Sequence, residues 1–101
     1  MDDSLLAPRS AWELLQNGRA QLIDLRAREV GVPRIPGARA IPLEELPSEL
    51  ATLDRERPVV FISDTGRKAA GTRSVLRAAG LTASAVKGGM RAWVEAGLPV
   101  E

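Results

Sequence analysis

The chain contains no cysteine, so disulfides, thiolate metal sites, redox switching and thiol catalysis are excluded for the sequence as written. It contains no histidine either. That removes the usual general base and the commonest metal ligand. The carboxylate pairs that remain, Asp2-Asp3 and Glu44-Glu45, fall in surface-type stretches and read as solvated; no metal and no cofactor is expected. Long apolar runs and a signal-like start are also missing, which gives the expectation of a cytoplasmic protein with no membrane partner. Nor is there an excess of charge. With 14 basic and 13 acidic residues the formal net charge is +1, too little for a long-range field that would draw nucleic acid. Any anion site must be local.

What is present is an ordinary globular composition of 101 residues, 45% apolar and 27% charged, the size of one domain spanning 1–101. Ser10-Ala11-Trp12-Glu13 has the form of a capping box and Asn17-Gly18 supplies a stop, which predicts a helix over about 11–16. Residues 20–25 form a compact apolar run that suits a strand delivering Asp24 and Arg26 to its carboxyl edge. Two prolines make 32–37 a structured loop, and 38–41 offers a short strand. Leu43, Leu46, Leu50 and Leu53 make a one-sided apolar stripe, interrupted at Pro47 by a turn and a fresh helix start.

Pro58-Val59-Val60-Phe61-Ile62 reads as a buried strand, Ser63-Asp64-Thr65-Gly66-Arg67-Lys68 as a tight polar loop, and 69–79 as the helix behind it. The inward face of that helix is expected to hold Ala69, Thr72, Leu76 and Ala79, with Gly71 tolerated in its middle. The last strand covers 82–86. Gly88-Gly89 then turns the chain into a final helix with Met90, Trp93 and Val94 inward and Gly97 as its stop. Strands alternating with helices throughout predict an α/β fold, an open and mainly parallel sheet with helices on both faces. Ligands bind such sheets beyond the carboxyl ends of the strands. One rim should therefore carry Arg26, residues 63–68 and Lys87-Gly88-Gly89.

A strand that ends in a Gly-containing loop and runs into a helix aims free backbone N–H groups at one point, an anion cradle with residue 63 at its focus. A cysteine there would be strongly acidified. Serine keeps the shape and loses that chemistry. Several motifs in order and spacing resemble a single-domain rhodanese: Leu22-Ile23-Asp24-Leu25-Arg26, Arg34-Ile35-Pro36-Gly37-Ala38, Ile41-Pro42-Leu43, Pro58-Val59-Val60, Gly66-Arg67, Lys87-Gly88-Gly89 with Trp93, and Ala96-Gly97-Leu98-Pro99-Val100. The resemblance implies a sulfurtransferase fold in which a cysteine at the head of the loop carries a persulfide. It puts Ser63 at the nucleophile position, Asp64, Thr65, Gly66, Arg67 and Lys68 in the substrate loop, and Asp24 and Arg26 as the pair bracing the site, with Gly88 and Gly89 in support. Arg34 stands where the family commonly has histidine. The six-residue loop has the sulfurtransferase length, which disfavours the related phosphatases.

A serine hydroxyl stays protonated near neutral pH unless a base removes its proton. Lys68 is the one base in reach by sequence, and a solvent-facing lysine remains charged. Three readings stay open: a silent module binding a small oxyanion such as thiosulfate or sulfate, or a sulfur-carrier protein; a sulfurtransferase met here as a Cys-to-Ser variant at residue 63; and a structural or regulatory interaction domain. Beside them stand plainer roles. Ser63 can serve only to cap or to bond loop amides, Arg26 only to pair with Asp24 or Glu29, Gly88-Gly89 only backbone packing, and Arg34 reads as a surface residue without catalytic duty. Trp12 and Trp93 read as core or rim, and no feature sets an oligomeric state.

Overall fold

The computed structural model describes residues 5–26, 32–64 and 71–101. Its elements run β1 (Leu5–Leu6), α1 (Pro8–Gln16), β2 (Gln21–Asp24), β3 (Arg39–Ala40), a 3-10 turn (Leu43–Glu45), α2 (Leu46–Glu49), a second 3-10 turn (Leu50–Thr52), β4 (Val59–Ile62), α3 (Thr72–Ala78), β5 (Ala83–Val86) and α4 (Gly89–Glu95). The five strands form one sheet in the order β1-β5-β4-β2-β3, and every pairing is parallel. The expected parallel α/β architecture is what the chain forms.

The central strand explains why the sheet needs two covers. All four side chains of β4 are buried, the pattern of a strand packed on both faces. Alternation sends Val59 and Phe61 to one side, where they meet Ile23, Leu46 and Leu76. Val60 and Ile62 go to the other, against Leu22, Ile35, Met90 and Trp93. Thus α2 and α3 close one face and α1 and α4 the opposite one. Trp93 is fully buried, its indole N–H donates to the carbonyl of Pro99 at 3.0 Å, and Trp12 meets it edge to face with ring centroids 5.8 Å apart.

Several local expectations are corrected. Helix α1 begins at Pro8, not after Ser10, and its N-cap is Ala7 with no side-chain cap. Proline's fixed φ suits the first helical position, where its missing N–H is no loss, so it overrides the capping box and leaves Ser10 inside the helix. Val94 points outward at 49% exposure, because the narrow buried stripe of α4 holds Gly89, Met90 and Trp93. Gly71 is the N-cap of α3 rather than a mid-helix residue; Ala69 lies outside the described residues. The leucine stripe breaks as expected at Pro47, with Leu46 and Leu53 in the core and Leu43 at its edge. Strand β1 had no counterpart in the sequence reading, yet Leu6 accepts a bond from the Lys87 amide at 2.8 Å.

Candidate active-site rim

Parallel strands end on one rim, and three of them bring the candidate residues there. Asp24 closes β2 in register with Ile62 of β4, and the Leu25 amide donates to the Ile62 carbonyl at 2.9 Å. Ser63 follows directly and is 3% exposed, while Asp64 is exposed. After β5, Gly88 and Gly89 both take positive φ, 75° and 63°, and start α4 so that the Met90 amide donates to the Ser63 carbonyl at 2.7 Å and the Arg91 amide to the Asp64 carbonyl at 3.1 Å. Helices leave their first N–H groups without internal partners; here the chain leaving β4 supplies two. A Cβ on Gly88 would stand 2.6 Å from Cβ of Ala92. Both glycines therefore act through backbone conformation. The candidate loop residues Thr65, Gly66, Arg67 and Lys68 lie outside the described residues.

On the same rim Asp24 is 1% exposed and gathers two guanidinium groups. Arg26 binds it in bidentate fashion, Nε to Oδ1 at 3.0 Å and Nη2 to Oδ2 at 2.8 Å, and the Arg26 amide donates to Oδ1 at 3.0 Å. Arg34 Nη1 reaches Oδ2 at 3.1 Å. Burial alone would raise the Asp24 pKa; the side-chain and backbone hydrogen bonds from Arg26, its positive charge and the Arg34 contact outweigh it, so the carboxyl titrates below its ordinary range. Arg26 also donates to the Pro33 carbonyl at 2.6 Å, and Arg34 exchanges backbone hydrogen bonds with Glu101 at 3.0 and 2.7 Å.

Arg34 is thus no idle surface residue. Its side chain is 25% exposed and it shares the Asp24 carboxylate. The sequence signal was the pair of prolines, Pro33 and Pro36, which stiffen the loop enough to aim a side chain. Arg26 does pair with Asp24, as one of the plainer readings held, and that cluster ties the end of β2 beside the residue preceding Ser63.

The pattern of the family described as Rhodanese-like domain matches residues 7–96. The chain belongs to this family. Among curated relatives, the rhodanese-like domain is 33% identical to thiosulfate sulfurtransferase GlpE of Actinobacillus pleuropneumoniae serotype 3 (strain JL03), covering 95% of this chain and 91% of the relative. It is 35% identical to human thiosulfate:glutathione sulfurtransferase, covering 81% and 85%. Among solved structures it is similar to a rhodanese-related protein from Thermoplasma volcanium, with a TM-score of 0.85 at 26% identity over 95% of both chains. Within the rhodanese-like domain, no group of side chains among the described residues could hold a metal ion. No described helix is long and apolar enough to cross a membrane.

Proposed function

We propose that this rhodanese-like domain is, as written, a catalytically silent module that binds a small oxyanion such as thiosulfate or sulfate without transferring sulfur. Ser63 occupies the nucleophile position, residues 64–68 bind the anion, Asp24 and Arg26 brace the rim, and Gly88 and Gly89 set the α4 amides that hold the backbone at 63 and 64. One observation carries the reading. Ser63 follows β4 directly with its carbonyl held by the Met90 amide, in a sequence that has neither thiol nor imidazole. Sulfur storage needs a thiolate, and a hydroxyl without a base stays protonated.

A second reading is supported by the names of the relatives: a sulfurtransferase whose reactive cysteine is replaced at residue 63. Thiosulfate treatment separates what the scaffold can do from what this residue does. The chain itself should produce no thiocyanate above background from thiosulfate and cyanide. In Ser63→Cys, the thiolate should take the outer sulfur of thiosulfate with release of sulfite, a gain of about 32 mass units. Turnover by the unaltered chain would defeat the silent reading; absence of the mass gain would show that the loop is no competent cradle. Thiosulfate binding that survives reversal of charge at Arg67 and Lys68 would also count against the oxyanion assignment.

A further inference from the structure

The face of the sheet closed by α2 and α3 holds a cleft of about 280 Å³ between the start of α2 and the start of α3. Leu43, Leu46, Pro47 and Val75 give it apolar walls, completed by Gly71 and Thr72. Its lip is exposed hydrocarbon, Leu43 at 36% and Val75 at 41%. Thr72 is the reverse case. It is 2% exposed, and its Oγ1 is buried with no hydrogen-bond partner among the described residues. Buried hydroxyls are nearly always paired, since an unmade bond forfeits the hydration the group had in the unfolded chain.

We propose that this cleft binds a small uncharged ligand, a ring or short alkyl body bearing one hydroxyl or carbonyl that pairs with Thr72 Oγ1. Size, polarity and charge each select that class. An apolar cavity of about 150 Å³ accepts benzene, so the volume here takes a substituted ring. The apolar walls match the body, and Thr72 supplies the one polar side chain among the lining residues. No ionised side chain lines the cleft among the described residues, so a carboxylate or ammonium would find no counter-charge among them for the hydration it loses. Residues 59 and 61 of β4 face α2 and α3, the helices between which the cleft lies. The ligand and the residues differ from those of the oxyanion reading, so each stands or falls on its own titration.

The test is a set of NMR titrations of the full chain with phenol, toluene and benzoate, following backbone amides and side-chain methyls. Phenol should saturate at roughly millimolar concentration and shift Leu43, Leu46, Thr72 and Val75. Thr72→Val keeps the side-chain shape and should weaken phenol about fivefold while leaving toluene unchanged, the effect of one neutral hydrogen bond. Val75→Trp, at an exposed position, should fill the cleft and abolish both, and its amide spectrum verifies the fold. Benzoate should bind at least about tenfold more weakly than phenol. Shifts that do not saturate, that persist in Val75→Trp, that ignore Thr72→Val, or that are as strong with benzoate each overturn the proposal.

Discussion

The amide of Met90 donates to the carbonyl of Ser63 at 2.7 Å. Together with the Arg91 amide on the Asp64 carbonyl, this commits two first-turn donors of α4 to holding backbone. The amino end of α4 therefore positions the chain at residues 63 and 64. Family resemblance alone would have assigned Gly88-Gly89 a supporting role without saying which kind. The geometry makes it conformational.

Gly88→Ala tests that linkage. The side chain would need φ near 75° and would meet Ala92 Cβ at 2.6 Å, so a loss of about 2–3 kcal/mol in urea unfolding is expected. Adding Ala92→Gly removes the clash and should restore part of the loss, leaving the left-handed penalty and the helix cost of glycine. A Gly88→Ala protein as stable as its parent would contradict the described start of α4.

Asp24→Asn should be more damaging. It removes the only charge described between Arg26 and Arg34, and breaking such a buried cluster from one side costs about 3–5 kcal/mol. Arg34→Ala leaves the bidentate Arg26 partner in place and should cost about 1 kcal/mol. Equal losses in the two variants would argue against Asp24 as the centre of the cluster.

The same carboxylate gives a pH signature. Its folded pKa lies below the ordinary 3.8, so the unfolded chain binds its proton first as acid is added. The stability it contributes is fully present above about pH 5 and is lost as pH falls through 3.8 toward the folded value. The stability gap between the parent and Asp24→Asn should accordingly be level at neutral pH and narrow in acid. A gap that stays constant down to about pH 3 would mean that Asp24 titrates normally.

Thr72→Val should stabilise the free protein by about 1 kcal/mol, because it removes a buried hydroxyl that has no partner among the described residues. Chemical denaturation reads this as a higher midpoint with an unchanged slope. Destabilisation would reveal a hydrogen bond at Thr72.

The parts legible in the sequence were those with local signals. Apolar runs marked β2 and β4, and the proximity of Asp24 to Arg26 along the chain made their pairing an explicit possibility. Leu5–Leu6 carries too few residues to show a period, and its only reason to be a strand is the β5 edge beside it. Ser10 and Glu13 advertise a cap, but Pro8 takes the first helical position and starts α1 earlier. Arg34 was missed because its carboxylate partner is ten residues away and is brought near only by the folded loop. Helical spacing predicts Val94 inward, but a helix of seven residues buries a narrower stripe than the pattern allows.

The flanks of the sheet bear on how copies of this protein meet one another. Strands β1 and β3 at either margin are two residues each, so a stray extended segment arriving there would find little exposed ladder to zip onto. Short margins of this kind are a recognised defence against amyloid-like growth. Crowded solutions of the folded domain should thus resist edge-to-edge polymerisation, even though its central strand Val59–Ile62, once laid bare, is apolar and rich in β-branched residues, the composition that favours aggregation.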